Sequence, residues 1–499
     1  ENGCGTLNAI TPKALRAIRD LGATHVWYTG VIRHATAQHN TPAIVKGKAG
    51  SPYAITDYYD IDPDLCENQH QRMKEFTDLV ERSHKANLQV IIDFVPNHVA
   101  REYHSTHKPK GIEDLGEGDH PEWAFSPLNN FYYLPGQPLT MDIDLKGYQE
   151  YPAKVTGNDC FSSHPSNTDW YETVKLNYGV FYQGGGEKQF FPIPSTWKKM
   201  VDILLFWASK KINGVRVDMA EMVPVEFFQW AIDKVKKKYP EFIFIGECYD
   251  PNRYDAYLKA GFDYLYDKVG MYDYLRGVTS KNWPVEGITA QWMQHSGERL
   301  NHMLYFLENH DEQRIASGFF CGDGTCAEPA MIVAATLNQC AVMVYMGQEL
   351  GERGMDMEGF SGIDGRTTIF DYWGIKSIQA WANKGQYDGA NLSEEQRDLR
   401  LFYQRLLTVA RDNKAVQKGL MYDITYAQGE GFNKHEQYAF IRHWEDETLL
   451  VIINFHDREQ HMRVRIPNDA FVYLGIDEIK SCQATDLLRG EQWSIPFNT

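Results

Sequence analysis

The sequence predicts an α/β fold: a parallel (β/α)8 barrel of the TIM type, a small domain inserted after its third strand, and a C-terminal antiparallel β-sandwich. Three observations predict it. From residue 11 to about 412, short apolar runs alternate with segments of helical period, the pattern of parallel strands joined by crossover helices. Four of those apolar runs end in acidic or imidazole side chains, which places functional groups on one rim, as at the C-terminal ends of barrel strands. Past residue 413 the apolar period becomes two.

Taken in order, Leu15, Ile18 and Leu21 recur at helical spacing, with Thr11 as N-cap and Pro12 in the first turn. Strands are expected at 24–29, 88–95, 213–218, 242–247, 262–266, 303–308 and 340–346. Helices are expected around 70–86, 196–211, 224–238, 251–260, 270–297, 327–338 and 395–412. Seven strands are one short of eight. The chain opens on a helix, so the missing first strand is expected just ahead of Glu1-Asn2-Gly3, and the chain is read as truncated there. Residues 99–195 are too long for a plain loop and read as an inserted domain. Barrel (1–98 and 196–413), insert (99–195) and C-terminal domain (414–499) make up the chain. The last should be a sandwich built from Met421–Ala427, Gln437–Trp444, Thr448–Phe455 and Gln460–Ile466.

Composition bounds the function. The chain has 499 residues with 50 basic against 67 acidic, and a net charge of −17 argues against a nucleic-acid partner. No apolar run approaches the ~20 residues that span a bilayer. Targeting is not legible in a chain that begins at Glu1. Eight cysteines (4, 66, 160, 248, 321, 326, 340 and 482) are too thinly spread for a disulfide framework. Only Cys321 and Cys326 are close enough for a local bridge, and a bridge and two free thiols both remain open.

The candidate site centres on Ile212-Asn213-Gly214-Val215-Arg216-Val217-Asp218. Strand alternation puts Arg216 and Asp218 on one face and Val215 and Val217 on the other. Phe242–Glu247 ends in a carboxylate, while Leu88–His98 and Met303–Asp311 end in acidic and imidazole groups. These stretches, DFVPNH, GVRVD, GE and ENHD in that order, resemble the four signatures of the α-amylase family of retaining glycoside hydrolases. Thr173-Val174-Lys175-Leu176-Asn177 resembles a fifth, in the form of neopullulanase-like and cyclomaltodextrinase-like members.

The resemblance implies a hydrolase of α-1,4-glucosidic bonds in starch, maltooligosaccharides, pullulan or cyclodextrins. A glucan transferase using the same covalent intermediate is the alternative. A non-catalytic relative is opposed by the presence of Asp218, Glu247 and Asp311. Carboxylates at the ends of adjacent strands, ~4.8 Å apart, suit the ~5–5.5 Å of a double displacement. Asp218, held ionised by Arg216, is then the nucleophile and Glu247 the acid and base. Asp311, His98 and His310 bind hydroxyls of the reacting ring, and Tyr53 matches the family's aromatic platform. Glu221 and Met222 stand where many α-amylases have lysine and histidine. Glu221, Lys175 and Asn177 are therefore expected to read the leaving-group side.

The chemistry requires no cofactor. Asn97 matches a calcium-proximal position, so a structural calcium ion is left open. A zinc site from His98, His104 and His107 lacks a completing cysteine or acidic group. Trp123, Tyr132, Tyr133, Trp170, Phe181, Tyr182 and Trp197 are sugar platforms or core packing. The expected partner is an α-glucan, the expected location extracellular, cell-surface or periplasmic, and the oligomeric state is not legible.

Overall fold

The structure, a computed structural model, describes residues 5–293, 297–339, 341–357, 359–360, 362–477 and 481–496. In chain order its main helices are α1 (Pro12–Asp20), α2 (Arg72–Lys85), α3 (Ser195–Ser209), α4 (Val225–Lys238), α5 (Tyr254–Ala260), α6 (Asp273–Thr279), α7 (Glu328–Thr336), α8 (Glu394–Asp412) and α9 (Asn468–Leu474). The parallel strands are β1 (His25–Tyr28), β2 (Gln89–Phe94), β3 (Gly214–Val217), β4 (Ile243–Gly246), β5 (Tyr264–Tyr266), β6 (Met303–Phe306) and β7 (Val342–Met343). All seven expected strands form, most of them a residue or two shorter at each end, where the chain bends out of the ladder. Among the described residues no strand precedes β1. Glu1-Asn2-Gly3, with Cys4 and Cys340, lie outside the described residues.

The chain divides into two compact units. The first comprises Glu1–Pro12, His25–Leu265 and Thr368–Gly374. In it β1, β2, β3, β4 and the start of β5 pair in parallel in chain order, with Val26 opposite Val90, Val215 opposite Ile92, Val217 opposite Gly246 and Ile245 opposite Tyr264. Helix α2 buries Phe76, Leu79, Val80 and Ser83, one stripe at helical spacing. Helix α3 brings Trp207 edge-on to Phe76, with ring centroids 5.7 Å apart. Gly214 is required by packing. A Cβ there would lie 2.8 Å from Ile243 Cβ and 2.9 Å from Ile91 Cδ1, so any side chain would force the neighbouring strands apart.

Residues 99–195 belong to this unit and contain only short antiparallel pairs, among them His98–Ala100 with Thr173–Lys175 and Tyr133–Leu134 with Ala153–Lys154. They have a small core of their own, formed by Tyr132, Leu134, Leu139, Ala153 and Val155. Of the seven aromatic residues considered as sugar platforms, Tyr132, Tyr133 and Trp197 are buried, whereas Trp123 and Tyr182 are exposed.

The second unit comprises Lys13–Thr24, Tyr266–Thr367 and Ile375–Thr499. Here β6 and β7 pair in parallel, with Tyr305 opposite Val342. Helix α8 begins with a capping box in which Ser393 and Gln396 satisfy each other's backbone N–H groups. Cys321 and Cys326 are bonded to each other, which decides the local bridge. Cys66, Cys160, Cys248 and Cys482 are free.

The C-terminal part is antiparallel, with β8 (Leu420–Asp423), β9 (Gln437–Trp444) and β10 (Glu447–Asn454) in one sheet and β11 (Ser481–Thr485) paired with β12 (Gln492–Pro496). Of the four strands expected there, the one at 460–466 does not form. The alternation there is real, and Met462, Val464 and Ile466 pack on a core of Ile424, Phe432, Ala439, Ile441, Ala470 and Leu474. The backbone bonds of the segment go instead to Gly431 O (from Arg463 N, 2.9 Å) and to the Gln428 side chain (from Arg465 N, 2.8 Å). Arg442 ties β9 to the helices beside it, donating from full burial to the carbonyls of Leu337 (2.7 Å), Val416 (2.7 Å) and Gly419 (2.8 Å).

Candidate active site

In the first unit the ends of β2, β3 and β4 gather three carboxylates around one guanidinium. Arg216 stands opposite Asp93 in the β2–β3 register, on the same face as Asp218. Its Nη1 lies 2.7 Å from Asp218 Oδ1 and 3.3 Å from Asp93 Oδ1, and its Nη2 lies 2.8 Å from Glu247 Oε1. Asp218 and Glu247 each follow the paired residues Val217 and Gly246, so they are neighbours on adjacent parallel strands. All four side chains are buried. The guanidinium lies over the Trp27 ring (5.2 Å to centroid) and the Tyr53 ring (5.6 Å), and Trp27 Nε1 donates to Asp93 Oδ2 at 2.9 Å.

One positive charge serves three buried acids, and burial wins. Asp93 is pushed up to about 6 by desolvation, which Arg216 and Trp27 offset only in part. Asp218 is also raised well above the usual carboxylate range, by burial first and then by Glu247 and Asp93, against the pull of Arg216. Sequence spacing suggests that Arg216 simply holds Asp218 ionised. The structure corrects this, since the arginine is shared among three acids, and the pull of Arg216 on Asp218 and Asp93 is outweighed by their burial.

Glu247 is held from two sides. Met219 N donates to its Oε2 at 2.8 Å and the Tyr249 hydroxyl to its Oε1 at 2.8 Å. Met219 makes that contact from a left-handed backbone conformation (φ +44°), an uncommon one for a residue with a side chain. Glu221 is engaged by backbone and side-chain donors of its own chain. Its Oε2 accepts from Tyr249 N (3.2 Å), Asp250 N (3.1 Å) and Cys248 Sγ (3.6 Å), so it anchors the loop that leaves β4.

His98 is buried and its ring is kept neutral, pushed down to about 3 by desolvation and by the charges of Lys175 and Lys46. The ring has protein partners in Asn97 Nδ2, 3.1 Å from Nδ1, and in the backbone of Tyr53. Lys175 and Asn177 are likewise engaged internally, against the expectation that they read the substrate. Lys175 Nζ lies 2.8 Å from Asn97 Oδ1 and 2.5 Å from Asp159 Oδ1. Asn177 donates to Ser126 O (2.8 Å) and accepts from Gly179 N (2.8 Å). Both are buried, where polar side chains must find protein partners.

In the second unit the residues after β6 form their own arrangement. Glu308 is buried against Arg314 (2.9 Å), and Asn309 Oδ1 accepts from the N–H groups of Asp311 and Glu312, at 2.9 Å each. His310 Nε2 lies 3.2 Å from Asp311 Oδ2, with His310 buried and the Asp311 side chain 38% exposed.

Comparison with known proteins decides the family. The model of the alpha amylase catalytic domain matches residues 1–441. The chain belongs to the alpha-amylase family. It is 20% identical over 472 residues to Alpha-amylase 2 of Dictyoglomus thermophilum (91% of this chain, 65% of that protein). To a cyclomaltodextrinase of Thermoanaerobacter pseudethanolicus it is 21% identical over 467 residues (91% and 64%). The chain thus spans just under two thirds of the length of these relatives. Among solved structures, a noncanonic maltogenic alpha-amylase from Thermotoga neapolitana superposes with a TM-score of 0.64 at 18% identity, covering 99% of this chain and 91% of the other. The fold is therefore the α/β barrel of the alpha-amylase family.

Within that family a structural calcium ion is common, and two places in this chain bear on one. At Asn97 the carbonyl oxygen a cation would use already accepts from Lys175. At Asp57, Asp60 and His107, ligand atoms lie within 4.8 Å of one another. All four carboxylate oxygens there are already taken. Asp60 accepts from Arg72 at 2.7 Å on each oxygen, and Asp57 from Tyr59 N, Ser105 Oγ, Thr106 N and His107 N. Neither place fits a divalent ion as it stands. His98 and His104 are not part of that cluster, so the three histidines do not form one centre.

Sequence reasoning missed four residues of the site. Asp93 was legible, since it opens the DFVPNH stretch and alternation puts it on the Arg216 face. Trp27, Tyr249 and Asp159 carried no comparable signal, because their roles depend on where loops and long side chains turn.

Proposed function

We propose that this alpha-amylase family member is a retaining α-glucan hydrolase that cleaves α-1,4-glucosidic bonds, with Asp218 as nucleophile and Glu247 as acid and base. The observation that carries the proposal is the placement of Asp218 and Glu247 at equivalent positions of adjacent parallel strands, on the two arms of the Arg216 guanidinium. Carboxyl groups at that spacing leave no room for water between nucleophile and sugar, which favours double displacement.

An Asp218 oxygen attacks the anomeric carbon as the glycosidic C–O bond breaks, and Glu247 gives its proton to the departing oxygen. A covalent glycosyl ester on Asp218 results. Glu247 then takes a proton from water, the hydroxyl attacks the same carbon, and Asp218 is released. Buried and aimed by Arg216, Asp218 loses little orientation entropy at the moment of attack. His310 and Asp311 are assigned to the ring hydroxyls on their motif, and Tyr53 to the sugar face on its matching position.

An α-glucan substrate is supported by the names of the relatives, and a neighbouring structure, an alpha-amylase from Geobacillus thermoleovorans, is complexed with acarbose. Passing the intermediate to a sugar rather than to water gives the transferase alternative. Product analysis with and without added maltose separates the two. A location outside the cytoplasm is supported by the Cys321–Cys326 bond, because such bonds persist where thiols are not kept reduced. No described helix is long and apolar enough to cross a membrane.

Proton NMR during the first turnovers tests the mechanism. Two inversions at one carbon give an α-anomeric product first. An initial β-anomer rules the double displacement out.

A further inference from the structure

The family's structural calcium and the residues found at Asn97 disagree, and the disagreement has a chemical explanation. We infer that Lys175 is the resident cation of this corner, its ammonium taking the place beside Asn97 Oδ1 that a divalent ion would need, so that the strand His98–Ala100 is joined to the insert without metal.

Lys175 is 2% exposed and stands opposite His98 in the antiparallel ladder, so its stem is fixed by the backbone before its head group is placed. Two oxygens accept from the ammonium, and an aromatic face lies near it. Asn97 Oδ1 lies at 2.8 Å and Asp159 Oδ1 at 2.5 Å, and the face of the Tyr182 ring lies 5.5 Å away. Asn97 is itself pinned by donation to Gly157 O at 2.8 Å, which turns its carbonyl towards Lys175.

The same oxygens make a poor calcium site. Calcium takes six to eight oxygen ligands, roughly 2.3–2.6 Å away. The polar groups around Lys175 Nζ named above supply one amide oxygen and one carboxylate. An ion on Asn97 Oδ1 would also collide with, and be repelled by, the ammonium already there. The charges agree, since a single carboxylate is balanced by one ammonium and left overcharged by a divalent ion. Burial loosens the hold of Lys175 on its proton, and Asp159 restores part of it.

Thermal melting of the full chain tests this, and the readout is independent of whether the chain cleaves glucans. After EDTA treatment and dialysis, the native chain is expected to melt at the same temperature with and without added calcium. Lys175→Met keeps the buried stem without the charge and is expected to melt lower, because Asp159 and Asn97 lose their donor. Asp159→Asn, at a side chain 41% exposed and so tolerant of change, should lose part of that stability, equally in EDTA and in calcium. Two results overturn the inference. One is a native melting temperature that falls in EDTA and recovers with calcium, with the response abolished in Asn97→Ala. The other is Lys175→Met melting with the native chain.

Discussion

The backbone N–H of Met219 lies 2.8 Å from Oε2 of Glu247, and it reaches there because Met219 turns the chain into a left-handed conformation immediately after Asp218. The turn that ends the nucleophile's strand thus also fixes the acid on the next strand. A non-glycine residue in that region costs of order 1 kcal/mol, and such outliers persist where the surrounding structure over-determines them. With the Tyr249 hydroxyl and Arg216 Nη2 on the other oxygen, Glu247 is aimed by donors from two loops and from the neighbouring strand.

Tyr249→Phe removes one of those donors without emptying the space its ring fills. A hydrogen bond to a charged group is worth about 1.5–3 kcal/mol, so a loss of ~10–100-fold in kcat/KM is expected on maltooligosaccharides, where the leaving group needs its proton. On α-maltosyl fluoride, whose fluoride departs with little help, the loss should be much smaller. Equal losses on both substrates would show that Tyr249 acts through something other than the acid.

Asp218→Asn should abolish nearly all turnover, by ~10⁴-fold or more, because the covalent step has no second nucleophile. Fold and binding should survive. The native carboxyl is raised by burial and by two neighbouring acids, so ionising it costs stability at neutral pH. The amide carries no such cost. The variant is expected to melt at or above the native temperature at pH 7 and to bind maltooligosaccharide in calorimetry.

Asp93 gives a pH signature with a definite sign. Its carboxyl is raised from 3.8 to about 6 in the folded chain, so between these values the folded state holds a proton that the unfolded state has released. Stability from this group therefore falls as pH rises from about 4 to 6 and is flat above, a cost of order 3 kcal/mol. In Asp93→Asn the term is absent. The variant should gain stability relative to the native chain as pH is raised through that window. A difference that stays constant from pH 4 to 8 would mean Asp93 titrates normally.

How much of this was legible follows from the reach of each residue. Asp218, Arg216 and Glu247 sit on strands or one step past them, where the period of two fixes the face and leaves a short side chain little choice. Their gathering was legible. Lys175 lies on a strand too, but four rotatable bonds decide whether its ammonium meets a sugar or Asn97, and spacing does not set them. The partners of Asn177 were not legible for a related reason, since Ser126 and Gly179 belong to a segment with almost no regular structure. At 460–466 the alternation was read correctly and the inference from it failed. Two-fold patterning reports which side is buried, not whether the backbone finds a neighbouring strand or, as there, a glutamine side chain and a turn.

Glu221 lies under the loop that carries Tyr249. A sequence comparison places it on the leaving-group side, where replacing it would alter the preference between short and long glucans. The structure gives its carboxylate to Tyr249 N, Asp250 N and Cys248 Sγ, and its backbone carbonyl accepts from Arg253 at 2.6 Å. Its effect should then pass through the loop to Tyr249 and so to Glu247. Glu221→Ala is expected to lower kcat/KM by about tenfold on maltotriose, cyclodextrin and starch alike, in line with the loss of three hydrogen bonds to a carboxylate partly compensated by water. Glu221→Gln keeps an acceptor in the same place and should lie close to native. The measurement is kcat/KM across the three substrates. If Glu221→Ala changes the ratio between starch and maltotriose while Glu221→Gln does the same, the side chain reads the substrate directly, and its place under the loop is incidental.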